Sequence, residues 1–401
     1  MRRVWEQKKL GLLIKPLLGC LTLLSFVYGG ICRLRLFLYQ VGLLKTRRLN
    51  TLVVSMGNLT VGGTGKTPLV IALGEYLSRN GLKVGVLSRG YKGRRKMDLQ
   101  WVSDGQRLLT GPVEVGEEPY LIASRLKHVP VVVGRDRYES GQCLLERFNA
   151  DVILLDDGFQ HLQLHRDMNL LVIDGTLPFG PPHANGRLLP RGILRESLFG
   201  MRRASAVLVS RMEQCHQWSE IVRQIRYYHP QVPVFGVYFK PTGFIQLMSG
   251  QERDTAFLKG QSVLAFSGIG HPASFRFFLE QLECKVVKEV AFEDHHRYTL
   301  QDIRKLIQMA KTEGGEFLVT TEKDGVKIRE FLSQGQASGF ASDWLGHGGH
   351  LPAGRQVGGA IAPHGPPHQI VDPVWALRVD LDRIEEPQAW ECFIRERIKI
   401  P

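Results

Sequence analysis

The sequence predicts an α/β protein: a parallel-sheet domain, a second and smaller α/β domain after it, and a membrane-associated helix at the N-terminal end. Three observations carry that expectation. From Thr51 onward, short runs rich in Val, Ile and Leu alternate with stretches of helical spacing. The first run is followed by a glycine-rich loop and then a helical segment. Ahead of it lies an uncharged apolar stretch flanked on both sides by basic residues.

The apolar stretch, "PLLGCLTLLSFVYGGIC", fills the gap between Lys15 and Arg33. It is shorter than the roughly 20 residues a spanning helix needs, and Pro16 and Gly29-Gly30 are expected to interrupt it. Arg2, Arg3, Lys8, Lys9 and Lys15 precede it; Arg33, Arg35, Lys45, Arg47 and Arg48 follow. Residues 1–48 therefore read as an interfacial helix with a basic flank for anionic headgroups. A signal peptide is the alternative, although no A-x-A cleavage pattern follows.

Residues 49–200 form the expected first domain. "TLVVSMG", "KVGVLSRG", "VPVVVG", "ADVILLDDG" and "LLVIDG" read as buried parallel strands with helices between them. Ligands of such sheets bind at the carboxyl ends of the strands. Residues 201–334 repeat the alternation through "SAVLVSR", "PVFGVYF", "SVLAFSGIG", "KVVKEVAF" and "FLVTTEKD", which predicts a second domain after a boundary near 200. Residues 335–372 are rich in Gly, Pro and His without a period and read as a disordered insertion. Its His347, His350, His364 and His368 match no standard metal spacing. A strand and a helix close the chain over 373–401.

Composition narrows the function. At 43% hydrophobic and 23% charged the 401 residues are those of a globular protein. A net charge of +13 implies an anionic partner: nucleic acid, a membrane surface or a phosphorylated substrate, unless the chain is simply a soluble basic protein. No RRM, KH or zinc-finger pattern is present, so nucleic acid is not expected. Six scattered cysteines without a C-x-x-C pair suit a reducing compartment.

"GNLTVGGTGKTP" (57–68) departs from G-x-x-x-x-G-K-[ST] because Thr60 stands where the first glycine belongs. Its strand–loop–helix setting still makes it a phosphate cradle, and the first domain is P-loop NTPase-like. Thr60, Val61, Gly62, Gly63, Thr64, Gly65, Lys66 and Thr67 are the cofactor-binding candidates. Backbone N–H groups and the helix N-terminus face phosphate, Lys66 reaches the terminal phosphates and the Thr67 hydroxyl ligates Mg²⁺. The alternative is a glycine-rich turn with a chance Gly-Lys-Thr. In "DVILLDDGFQH", Asp156 and Asp157 end a buried strand, the position of a Walker-B acid, and are the metal candidates beside Thr67. An Asp-Asp-Gly turn that merely caps the strand is the alternative.

"GNLTVGGTGKTP", "SRGYKG", "VGEEPYLIA", "DDGFQH", "RLLPRGILRES", "SGIGHP", "FEDHHRY" and "TEKD" occur in the order seen in the tetraacyldisaccharide 4'-kinases, and the chain resembles that family from Gly57 to Asp324. The resemblance accounts for Thr60, since the family's loop is similar to G-N-[LI]-x-V-G-G-x-G-K-T. It implies a monomeric, ATP- and Mg²⁺-dependent kinase on the cytoplasmic face of a bacterial inner membrane. The acceptor would be the 4'-hydroxyl of an acylated glucosamine disaccharide 1-phosphate in lipopolysaccharide synthesis. Residue by residue, the resemblance places Lys66 and Thr67 on the ATP phosphates and metal, Asp156 and Asp157 on the acidic pair, and Arg137 near the phosphates. It places His161, Arg195 and Glu196 on the substrate and His295 beside the catalytic base. That base is Glu117, where the family usually has aspartate in "GDEP"; Glu118 is next to it. "TEKD" (321–324) suggests either a base-reading loop or a strand end with a helix cap. The rival reading is a P-loop GTPase or metallochaperone-like nucleotide switch.

Overall fold

The computed structural model describes residues 14–91, 93–94, 97–181, 184, 186–331 and 374–400. The Gly/Pro/His-rich segment, with its four histidines, and the basic residues Arg95 and Lys96 lie outside them. The described chain divides into two compact units, residues 1–240 with 380–401 and residues 241–379. This differs from a boundary near 200, because strands beyond that point still pair with the first sheet.

Helix α1 runs unbroken from Ile14 to Gln40. Gly29-Gly30 does not interrupt it, and Pro16 falls in the first turn, where a missing N–H is tolerated. Gly29 serves close approach instead: a Cβ there would stand 2.8 Å from Leu188 Cδ1. Within Pro16–Gln40 an 18-residue window has a mean hydropathy of 1.7, so by length and composition the helix could cross a membrane, and it runs on past the uncharged stretch through Arg33 and Arg35. Leu23, Phe26, Val27 and Ile31 are exposed along it.

The first sheet is built from β1 (Leu52–Gly57), β2 (Val84–Ser88), β3 (Leu99–Asp104), β4 (Pro130–Gly134), β5 (Val152–Asp156), β6 (Met168–Asp174), β7 (Ala206–Ser210) and the start of β8 (Val234–Gln246). Their order is β3-β4-β2-β5-β1-β6-β7-β8. All pair in parallel except β3, which runs antiparallel to β4 at the edge and was not foreseen. Val53–Ile153 and Val209–Gly236 exemplify the parallel register. Helices α2 (Lys66–Arg79), α3 (Pro112–Val115), α4 (Glu117–Arg125), α5 (Arg137–Phe148) and α6 (Trp218–Tyr228) connect these strands. Leu87, Val132, Leu144, Ile153 and Leu155 form one fully buried core cluster. Each such aliphatic side chain contributes about 1.5–3 kcal/mol by leaving water. The parallel arrangement brings the ends of β1, β2, β5, β6 and β7 to one edge of the sheet.

The second unit contains β9 (Glu252–Arg253), β10 (Ser262–Ser267), α7 (Pro272–Gln281), β11 (Lys285–Ala291), α8 (Leu300–Thr312), β12 (Phe317–Thr321), α9 (Glu322–Phe331) and the start of β13 (Val374–Ile384). Strands β11, β10, β12 and β13 are parallel neighbours. Phe266, Ile303, Leu306, Ile307, Leu318 and Ile328 are buried between sheet and helices. Thr299 and Asp302 close a reciprocal capping box at the start of α8. The last helix, α10 (Pro387–Ile398), belongs to the first unit, where Trp390 meets Phe235 of β8 edge-on at 5.2 Å.

Candidate active site

The loop between β1 and α2 has the form a phosphate requires. Gly62 and Gly65 hold φ of 112° and 79°, conformations that favour glycine. A Cβ on Gly65 would also lie 2.9 Å from the Phe239 ring. Gly62 and Gly63 are exposed, and no side chain caps the N-terminus of α2. Its first N–H groups and dipole are therefore available to an anion. Thr60 needs no glycine, because its backbone pairs with Leu194 as an antiparallel bridge. Val61 N donates to Ile193 O at 2.8 Å beside it.

Lys66 leads α2 and reaches Asp157 Oδ1 at 3.4 Å. Asp157 follows β5 at φ 50° and takes Arg195 Nη1 on both oxygens, at 3.0 and 2.7 Å. Burial opposes its ionisation, but the Lys66 and Arg195 cations prevail and hold it well below the usual carboxylate range. Asp156 behaves oppositely. Burial first, then the charges of Glu118 and Asp157, push it up to about 7, although Ser88 Oγ donates to it at 2.9 Å. Two adjacent carboxylates are thus set apart by environment.

His161 is brought to the same edge. Arg137, buried at the start of α5, donates from Nη1 to His161 Nδ1 at 3.3 Å. That contact assigns the proton to Nε2, which is buried with no partner among the described residues. Burial, reinforced by Arg137 and Arg166, pushes His161 down to about 3. The imidazole is therefore neutral in the folded protein at pH 5–7, whereas in the unfolded chain it protonates below its usual value near 6.5. Stability is fully present above that value and falls with pH towards 3, by on the order of 1 kcal/mol per pH unit. Urea unfolding between pH 7 and pH 5 should show this slope, and His161→Gln should flatten it. Equal slopes in the two proteins would contradict a neutral His161.

Glu117 opens α4 and is 7% exposed. Gly116 before it has φ 92°, and a Cβ there would stand 2.7 Å from Tyr91 O. The Tyr91 backbone thereby limits where the "GEEP" turn begins. Glu118 is the neighbour whose charge acts on Asp156, a role for which its sequence position gave no signal beyond adjacency.

The segment 187–196 forms the next wall. Glu196, 5% exposed, accepts from Gln160 Nε2 at 2.8 Å and from Arg203 Nη2 at 2.6 Å. Gln160 also donates to Asn58 O at 2.9 Å, so Glu196 is tied to the root of the phosphate loop. Helix α1 holds this segment from outside. Tyr28 Oη donates to Arg195 O at 2.6 Å, and Ser25 Oγ donates to Leu188 O at 2.9 Å. Arg35 Nη2 donates to Gln160 O at 3.2 Å. The apolar helix is thus bonded directly to the loops that carry Asp157 and Arg195.

In the second unit, His295 has φ 65° and donates its N–H to Gly268 O at 2.9 Å. Asp324, the last residue of "TEKD", is completely buried. It accepts from Gly268 N at 2.9 Å and Thr321 Oγ1 at 2.8 Å, and it pairs with Lys327 at 2.8 Å. These bonds make Asp324 an anchor of the "SGIG" turn, whose Gly268 O takes the backbone N–H of His295.

The model of the tetraacyldisaccharide-1-P 4'-kinase family, LpxK, matches residues 17–345. The chain belongs to this family. It is 39% identical over 326 residues to the tetraacyldisaccharide 4'-kinase of Halothermothrix orenii, covering 78% of this chain and 84% of that protein. It is 38% identical over 342 residues to that of Syntrophus aciditrophicus, covering 82% and 88%. Among solved structures it is similar to LpxK from Aquifex aeolicus in complex with ATP, with TM-score 0.66, 30% identity and coverage of 95% of this chain and 99% of that one. The P-loop α/β fold and the family read from the motifs are therefore both shown. Membership makes this chain a lipid A pathway kinase, with the phosphate loop, acidic pair and "DDGFQH" turn gathered at one sheet edge.

Proposed function

We propose that this kinase transfers the γ-phosphate of ATP to the 4'-hydroxyl of a tetraacylated glucosamine disaccharide 1-phosphate, at the cytoplasmic face of a bacterial inner membrane. The observation that carries the reading is Lys66, held by Asp157 at the mouth of a phosphate loop, in a chain of this family. ATP phosphates lie on the N–H groups of Gly62 to Thr67. Lys66 exchanges its contact with Asp157 for phosphate oxygens, and Arg195 keeps Asp157 ionised during the exchange.

Mg²⁺ fits the donor set. Asp156, Asp157 and Thr67 offer only hard oxygen atoms, and Asp156, raised first by burial and then by the charges of Glu118 and Asp157, would be relieved by a cation. Asp156 and Thr67 would hold the ion, with Asp157 acting mainly through Lys66 and Arg195. When bound, the ion neutralises charge on the β- and γ-phosphate oxygens, the dominant need in phosphoryl transfer.

Glu117 takes the proton of the attacking hydroxyl. Arg137 lies near the ATP phosphates, and His161, Arg195 and Glu196 belong to the acceptor side, as the family resemblance implies. Helix α1 lies at the membrane with its exposed leucines and phenylalanines in the acyl region, and the basic residues after it face anionic headgroups. ATP consumption stimulated by the acylated disaccharide, with little use of GTP, is the expected result. GTP preference without lipid-dependent turnover would contradict the kinase and favour a nucleotide switch.

A further inference from the structure

The ends of β6 and β7 close on the outside of the phosphate loop. Ser210, completely buried, donates from Oγ to Thr64 O at 2.8 Å. Arg211 donates from Nη2 to Gly63 O at 2.8 Å, and its Nη1 is paired with Asp174. The Asp174 carboxylate is itself fixed, since Oδ1 accepts from Thr176 N at 3.0 Å and Thr176 Oγ1 at 2.7 Å. Arg211 and Asp174 side chains are 11% and 8% exposed. Arg211 also holds φ 58°, a left-handed backbone uncommon for a residue of its size. Such strain persists where surrounding contacts over-determine it.

The peptide unit explains what these bonds accomplish. It is planar and trans, so the C=O of one residue and the N–H of the next point in opposite directions. A donor that holds Gly63 O on the outside of the loop aims Thr64 N–H inward. The Ser210 bond to Thr64 O does the same for Gly65 N–H. Glycines at 62, 63 and 65 supply freedom without a preference, and two carbonyls turned inward would repel a phosphate. The neighbouring strands remove that freedom before nucleotide arrives, which lowers the ordering cost of binding.

We infer that Arg211, held by Asp174, is a positioning residue for the triphosphate of the nucleotide, with Ser210 acting alongside it. The inference rests on the phosphate-loop part of the proposed function and is independent of the lipid acceptor. It also gives a purpose to the Asp and Arg at the ends of "LLVIDG" and "SAVLVSR", to which the sequence reading assigned none.

The test uses the full chain in detergent micelles and equilibrium binding of labelled ATP with Mg²⁺, without lipid. Arg211→Met keeps length and removes the donors; Arg211→Lys keeps one donor; Ser210→Ala removes the hydroxyl with little change in volume. Arg211→Met should weaken ATP binding about tenfold to a hundredfold, the range of a lost charge-assisted bond, and Arg211→Lys should recover part of that. Ser210→Ala should weaken it by less. KM for the disaccharide should be unchanged in all three, and the nucleotide-free melting temperature of Ser210→Ala should fall only by the small amount that one buried hydrogen bond contributes. ATP affinity at the wild-type level in Arg211→Met would overturn the inference. So would a parallel loss of ATP and lipid affinity together with a large fall in melting temperature in both Arg211→Met and Ser210→Ala. If ATP binding responds as expected while no lipid is phosphorylated, the acceptor assignment fails and the role of Arg211 stands.

Discussion

Glu117→Gln is expected to slow phosphoryl transfer by roughly a hundredfold to ten-thousandfold, the usual contribution of a positioned general base. The amide keeps the shape of the carboxylate but cannot accept the hydroxyl proton. Binding should hardly change, because Glu117 belongs to the "GEEP" turn and not to the phosphate loop. Its backbone is fixed by Gly116, whose φ of 92° and contact with Tyr91 O leave no room for a larger residue. Glu117→Asp retains the chemistry and draws the oxygen back by one methylene. In this chain the turn is built around glutamate, so aspartate should also be slower, though less than glutamine, since misplacement of about 1 Å is costly. Steady-state kcat with the disaccharide as varied acceptor measures all three. A glutamine variant at full rate would move the base elsewhere, with Glu118 first in line because its charge already reaches Asp156.

Lys66→Met should cost about a hundredfold to a thousandfold in kcat, the loss expected when one preorganised charge is removed from a transferring group. Its side chain is 11% exposed and contacts Asp157 at 3.4 Å, so the cation is held at the site before nucleotide binds. Asp157 would retain Arg195 at 2.7 Å, so the carboxylate is not stranded and the fold should survive. Lys66→Arg should not restore the rate, since a planar guanidinium does not replace a compact ammonium at a crowded loop. Single-turnover experiments at saturating ATP separate this loss from weaker binding. An effect confined to the KM of the lipid would contradict the assignment.

Much of the fold was legible because buried parallel strands are nearly continuous apolar runs. Strands β1, β2, β4, β5 and β6 each stand where such a run occurs, and the loops after β1 and β5 hold the residues that the sequence singles out. Strand β3 escaped because "LQWVSD" mixes polar and apolar residues on a half-exposed antiparallel edge. Helix α1 was read as interrupted because glycine weakens a helix in isolation, whereas Gly29 packs against Leu188. The first unit extends past 200 because β7 pairs with β6, a long-range choice that local alternation does not reveal. At the site, Lys66, Asp156 and Asp157 were readable from spacing. The bonding of Glu196 to Gln160 and Arg203, and of Arg211 to Gly63, depends on contacts between distant segments.

The most direct test follows the label of γ-labelled ATP when the purified full chain is given Mg²⁺ and tetraacyldisaccharide 1-phosphate. Label is expected on the lipid at the 4' position, formed in proportion to the ADP released and largely abolished by Lys66→Met. Release of labelled inorganic phosphate with an unlabelled lipid would contradict that expectation.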